Sequence, residues 1–166
     1  MLLSERMDEG PLLAQGRYAL LPTITEPALT DDLIKLSHNL LVQTLPKYIT
    51  GEILPYPQSH KLSPTYSRKL TKADGEINWH KPADVLEREV RAYLTWPKSF
   101  TTLGGIPVII TKAAVSDQTL ASGAISTPGN RLLVGTKTTA LEIMELKPSG
   151  KQAMTARAFL AGHKLA

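Results

Sequence analysis

Eight cations carry most of the chemistry this sequence offers. Lys61, Arg68, Lys69 and Lys72 follow one another with no acidic residue among them, Arg88 and Arg91 fall three apart on a helix-patterned stretch, and Lys147 and Lys151 lie near the end of the chain. Side chains of this type could line one phosphate-facing surface, whose affinity would fall steeply with salt. Trp79, Tyr93 and Trp96 offer rings that could stack on bases, but aromatic residues beside a helix and at a Trp-Pro corner belong more often to a core. A second group is Asp8-Glu9-Gly10-Pro11, an acidic pair against a chain-breaking Gly-Pro. By itself it reads as a solvated turn. His38 falls inside a helix pattern, where a packed or partly exposed helix residue is the simpler reading than a catalytic one.

The elements that must position these groups can be read along the chain. Residues 1–21 hold the acidic turn and then an apolar run, Leu12 onward, with the pattern of a strand reaching Leu21. Thr30 then offers a helix cap, Asp31 and Asp32 suit the positive end of a helix dipole, and Leu33, Ile34, Leu40, Leu41, Leu45 and Ile49 make a broad apolar face. Pro46 should bend that helix or end its regular part, and Gly51 is a stop signal. One helix and a strand or two cannot cover such a face, because a stable core needs a second layer. This region therefore reads as the end of a larger domain.

From Lys61 to Lys72 the Pro64 and the Ser/Thr content predict an irregular basic connector. A short strand-like piece follows at Ile77–Trp79. Pro82 then opens a helix in which Val85, Leu86, Val90 and Tyr93 recur at helical spacing, and the helix must end before Trp96-Pro97. Beyond it the period changes to short strands at 99–103, 106–115, 123–127, 131–136 and 139–146, separated by Gly-rich or Pro-Gly-Asn turns. Five such strands behind a helix point to a small barrel. The tail adds a short helix with Thr155 as cap, Phe159 and Leu160 as anchors and Gly162 as a left-handed stop.

Composition narrows the partners. The chain has 166 residues, 42% hydrophobic and 20% charged, with no cysteine, so disulfides and thiolate metal sites are excluded and no metal is expected. No apolar run reaches the roughly 18 residues of a membrane helix, and the N-terminus lacks a secretory core, which together predict a soluble cytoplasmic protein. The net charge of +4 is unevenly spread: residues 1–58 hold four Lys/Arg against seven Asp/Glu, and residues 59–166 hold 15 against eight. The basic second part points to a polyanionic partner, most simply nucleic acid.

Lys69-Leu70-Thr71-Lys72 with Gly75-Glu76-Ile77-Asn78-Trp79, then Leu86-Glu87-Arg88 to Arg91-Ala92-Tyr93 before Trp96-Pro97, and finally Leu146-Lys147-Pro148-Ser149-Gly150-Lys151 with Met154 and Phe159-Leu160-Ala161-Gly162, stand in an order and spacing that resembles methionyl-tRNA formyltransferase. The resemblance covers nearly the whole chain. It implies an α+β, mostly β fold: an open barrel similar to an OB fold, with flanking helices, preceded by the C-terminal remnant of a Rossmann-like α/β catalytic domain. The implied boundaries are 1–56 for the remnant, 57–72 for a basic linker and 73–166 for the tRNA-holding domain.

The activity implied is transfer of a formyl group from 10-formyltetrahydrofolate to the amino group of methionine on initiator tRNA. The family's catalytic aspartate lies in an Asp-x-Gly motif before an apolar strand, and Asp8-Glu9-Gly10-Pro11-Leu12 matches it. That carboxylate would orient or activate a neighbouring histidine during attack by the amine. The eight cations above become the implied tRNA ligands.

One departure matters. The family's asparagine, histidine and Ser-Leu-Leu-Pro folate segment precede the aspartate motif, whereas this chain begins seven residues before Asp8, and Ser37-His38-Asn39-Leu40-Leu41 is no substitute on its helix. Loss of one oxyanion donor alone costs about 10² to 10³ in rate, so little activity and weak folate binding are expected of the chain alone, with the missing half supplied in intact form or by another chain. Two other readings stay open: a freestanding tRNA- or RNA-binding module, and another folate-dependent formyltransferase.

Overall fold

The structure, a computed structural model, describes residues 1–59 and 65–165. The chain divides into two compact units, Met1–Ile24 with Ala28–Arg68, and Thr25–Pro27 with Lys69–Ala166.

The first unit is built on α1, Glu26–Ile49. It starts one turn earlier than Thr30 predicts, because Pro27 occupies the first turn, where its fixed φ and missing N–H are tolerated. Thr30 is therefore an internal residue. Pro46 does not end the helix: it runs on to Ile49, and the Thr50 hydroxyl donates to the Pro46 carbonyl at 3.2 Å. Gly51, at φ +76°, ends it as expected. No residue of α1 is buried, and Ile34, Leu41, Val42 and Ile49 are each more than half exposed.

The strand expected up to Leu21 is absent among the described residues. In its place Leu12 and Tyr56 form an isolated antiparallel bridge, each N–H donating to the other's carbonyl at 2.8 and 2.9 Å. Without a further strand alongside, the rest of the segment has no ladder to join. It packs on the helix instead. Gly16 sits against the Leu36 and Leu40 side chains, and the Tyr18 hydroxyl donates to the Asp32 carboxylate at 2.6 Å. That bond, with partial desolvation, raises the Tyr18 pKa.

The second unit is one six-stranded antiparallel sheet with two helices. Strands β1 (Ser99–Leu103), β2 (Ile106–Val115), β3 (Ile125–Ser126), β4 (Leu132–Gly135) and β5 (Ala140–Pro148) are ordered β1-β2-β5-β4-β3, and β6 (Met154–Thr155) pairs with β5. The β1–β2 hairpin turns on Gly104 and Gly105, both at positive φ, the two-residue geometry that matches strand twist. All four residues of β4 are buried. The expected strand positions agree with these, except that β5 extends to Pro148 and β6 has too short a pattern to be seen in sequence.

Helix α2, Ala83–Ala92, buries Leu86 and Val90 of the expected face together with Ala83, while Val85 and Tyr93 are only partly buried. It stops at Tyr93, whose N–H closes on the Glu89 carbonyl at 2.9 Å, and a cis Trp96-Pro97 peptide follows. Helix α3, Ala156–Gly162, is capped by the Thr155 hydroxyl, which accepts from the Ala158 N–H, and Phe159 is fully buried in the core. Gly162 is not left-handed: the helix passes through it to His163, whose ring stacks on Phe159 at 4.5 Å. The hydrophobic contact replaces the backbone stop.

Residues 65–71 of the expected connector are irregular, and Lys72–Gly75 close it with a 3-10 turn, fastened where the Thr71 N–H and hydroxyl both donate to Asp74 at 2.7 and 2.9 Å. Trp79 packs against the core as expected, but Trp96 is 54% exposed. Pro97 takes the buried position at that corner, while the Trp96 indole N–H reaches the Leu70 carbonyl at 3.4 Å.

Candidate nucleic-acid interface

In the first unit, Asp8 sits at φ +60° in a turn built almost entirely from backbone. The Gln58 amide donates to the carbonyls of both Asp8 and Gly10 at 2.8 Å. Gly10 has no alternative, because a Cβ there would lie 1.8 Å from the Leu2 carbonyl oxygen. Asp tolerates the left-handed region through its short polar side chain, and such conformations concentrate where neighbours enforce them. The Asp8 side chain is exposed, and among the described residues it makes no hydrogen bond or ion pair. A cavity of this unit, about 370 Å³, has Leu2, Leu13, Leu40, Leu41 and Leu45 with Ser37, Thr44 and Tyr48 in its lining, and Asp8 does not line it.

The cations fall into distinct settings. Lys61 lies outside the described residues. Arg68, Lys69 and Lys72 are exposed, Lys72 on the 3-10 turn. Arg88 and Arg91 each meet a carboxylate one turn earlier on α2. Arg88 lies 3.0 Å from Asp84, and Arg91 is bonded twice to Glu87 at 2.6 and 3.0 Å. Their charge is thus partly balanced in place. Lys151 is exposed in the turn after β5, where its N–H closes on the Pro148 carbonyl.

Lys147, on β5, has the setting the sequence could not show. It shares a small cavity with Lys98, a residue absent from the sequence-based set, and both lysines are exposed. Lys98 follows a Trp-Pro corner and belongs to no periodic pattern, so nothing local marks it. A second cavity, about 490 Å³ and part polar, lies between Glu76, Asn78, Trp79 and His80 on one side and Ser122 and Gly123 on the other. The described residues hold no group of three or more His, Cys, Asp and Glu arranged for a metal, and no helix among them is long and apolar enough to cross a membrane.

A six-stranded antiparallel sheet backed by two helices and bearing exposed lysines offers a candidate surface for a polyanion. Residues 69–164 match the family described as the formyl transferase C-terminal domain, and the chain belongs to that family. The methionyl-tRNA formyltransferase of Chloroflexus aurantiacus is 43% identical over 166 residues, covering 98% of this chain and 53% of the relative. That of Myxococcus xanthus is 36% identical, covering 100% and 53%. The chain spans about half the length of the curated relatives it matches.

Solved structures agree on the fold. A variant of HypX from Aquifex aeolicus superposes with a TM-score of 0.68 at 15% identity, over 95% of this chain and 29% of that one. An N-formyltransferase from Helicobacter canadensis gives 0.62 at 13% identity, over 85% and 52%.

Proposed function

We propose that this chain is the tRNA-holding part of a methionyl-tRNA formyltransferase, with the open-barrel domain at about 73–166, the basic linker at 57–72 and the end of the catalytic domain at 1–56. The observation that carries the reading is the 43% identity to a methionyl-tRNA formyltransferase along 98% of the chain, which includes the acidic turn as well as the sheet. In this reading the sheet of the second unit is an open barrel of the OB type, and initiator methionyl-tRNA lies against it.

Lys69, Lys72, Lys147 and Lys151 supply most of the phosphate neutralisation, with Lys61 and Arg68 on the linker. Arg88 and Arg91 contribute less, since each already faces a carboxylate. Asp8 is the catalytic carboxylate. Its turn is fixed by the Gln58 amide, and among the described residues the exposed carboxylate has no partner.

The cavity described in the first unit is lined mostly by apolar side chains, a poor match for a pterin, and Asp8 does not line it. The seat of 10-formyltetrahydrofolate is accordingly assigned to the half of the relatives that this chain does not match. A formyl donor of folate type is supported by the A. aeolicus HypX neighbour, solved in complex with tetrahydrofolic acid.

The test is fluorescence anisotropy of labelled initiator methionyl-tRNA against salt. Each phosphate neutralised adds roughly 0.9 to the slope of log affinity on log salt, and Lys69→Ala with Lys72→Ala should lower it by about two such contacts. Affinity that ignores salt would overturn the reading. When the chain is combined with a folate-binding half that restores formylation, Asp8→Asn should cost about 10² to 10⁴ in rate.

A further inference from the structure

Where α2 ends, the sheet carries a cavity of about 120 Å³ whose lining includes Tyr93, Leu94, Lys98, Ile109, Thr111 and Lys147. Three observations about it converge. The hydroxyl of Thr111 is buried and has no hydrogen-bond partner. Thr111 also stands in a bulge: Ile110 faces Leu146 and Lys112 faces Glu145 across β2 and β5, which leaves Thr111 without a counterpart. Lys98, finally, is held at φ +72°, a conformation uncommon for a residue with a side chain.

The strain at Lys98 is imposed from two sides. Its N–H is bonded to the Tyr93 carbonyl at 2.9 Å, and its own carbonyl lies against Gly75, where a Cβ would stand 2.0 Å away. Such strained positions persist only where the surroundings enforce them, and they gather at ligand sites. Lys147 arrives from β5 as the register partner of Ile109, so the sheet itself places it at the same cavity. Among the described residues neither lysine has a carboxylate partner.

From this geometry we infer a seat for a single phosphate group, a phosphodiester of bound nucleic acid, held by Lys98, Lys147 and the Thr111 hydroxyl. Two unpaired ammonium groups neutralise it, and the orphaned hydroxyl gains the acceptor it lacks. Thr111 as a residue is partly exposed although its Oγ1 is not, and one step about χ1 exchanges the hydroxyl with the methyl of similar size. In the inferred seat the Thr111 side chain turns about χ1 so that Oγ1 meets the ligand's oxygen. The seat rests on the cavity alone; the choice of a nucleic-acid phosphodiester over free phosphate rests on the proposed function.

The full chain tests this in two arms, thermal melting with inorganic phosphate and anisotropy with initiator tRNA, for wild type, Thr111→Val, Thr111→Ser and the Lys98→Ala/Lys147→Ala pair. Thr111→Val should melt no lower than wild type, because it deletes an unsatisfied buried group, yet bind tRNA about tenfold more weakly. Thr111→Ser keeps the hydroxyl and should restore the binding. The lysine pair should lower the salt slope by roughly one phosphate contact.

Phosphate protection of wild type that is absent from the valine and lysine variants would support the seat, and with unchanged tRNA binding would overturn the phosphodiester assignment in favour of free phosphate. No protection and no change in tRNA affinity for any variant would overturn the inference altogether. Protection by phosphate in a chain whose wild type binds no tRNA would leave the seat standing and sink the proposed function instead.

Discussion

Arg91 forks the carboxylate of Glu87 one turn behind it on α2, Nε to Oε1 at 2.6 Å and Nη2 to Oε2 at 3.0 Å, and both side chains are about four-fifths buried. A bidentate pair of this kind is stronger than a single surface contact and holds the guanidinium in place. Its charge is committed within the fold. Arg91→Ala should cost about 0.5–1 kcal/mol in urea unfolding and lower the salt slope of tRNA binding by less than Lys69→Ala does. A fall in slope equal to that of Lys69→Ala would instead place Arg91 on a phosphate.

The Arg131–Glu142 pair ties the lead into β4 to β5, Nε to Oε1 at 3.0 Å. The guanidinium hydrogen bond holds the Glu142 carboxyl below the usual glutamate range, against an opposing effect of partial burial, and Glu142 in turn raises the Arg131 pKa. A carboxyl lowered in the folded state adds stability above its unfolded pKa, which is lost as pH falls through the folded value. Glu142→Gln should therefore melt below wild type at neutral pH, with the gap closing in acid below the ordinary glutamate range. Melting curves through that range decide it. A gap that widens in acid would contradict the sign.

Phe159 is fully buried and carries the stacked His163 ring, so it fastens α3 to the sheet. Phe159→Ala should cost about 3–5 kcal/mol, a large share of the total stability of a domain this size. Chemical unfolding monitored by tryptophan fluorescence, from Trp79 and Trp96, measures it. A loss under about 1 kcal/mol would mean that α3 is not part of the cooperative unit.

Gly75 and Gly105 make a contrasting pair. A Cβ on Gly75 would strike the Lys98 carbonyl at 2.0 Å, whereas Gly105 has open space around it at φ +80°. Gly75→Ala should destabilise by about 1–3 kcal/mol through overpacking. Gly105→Asn should cost little, since Asn accepts the left-handed region. Paired thermal melts give the comparison directly, and equal losses would show that steric contact is not what selects Gly75.

The outer face of α1 presents Ile34, Leu41, Val42 and Ile49 to solvent. Contiguous apolar surface of this kind promotes association. The chain by itself should show concentration-dependent self-association in sedimentation velocity, and Leu41→Ser with Val42→Ser should reduce it without lowering the melting of the sheet. A concentration-independent monomer for the unaltered chain would contradict this.

Much of the second unit is legible in the sequence. Period-two apolar runs between glycine turns marked β1 to β5, Leu86 and Val90 at helical spacing marked α2, and Thr155 marked the start of α3. These are local signals, carried by φ preferences and by which face of a short element is apolar. The first unit was less legible for the same reason: Thr30 gave a valid local cap signal that Pro27 overrode one turn earlier, and the apolar run after Leu12 reads as a strand although strand formation depends on a partner the run does not encode.

The acidic turn at Asp8-Glu9-Gly10, the row of cations and the family they resemble were determined by the sequence itself, because residue type and spacing along the chain are all that those features require. Tertiary structure alone decided which cations remain uncommitted. Arg91 and Lys147 look alike in sequence, yet helical periodicity puts a carboxylate one turn from the first, while the pairing of β5 with β2 brings the second to Lys98 and an unpartnered Thr111 hydroxyl. Charge is written in the sequence, but its neutralisation depends on distances that only the folded chain sets.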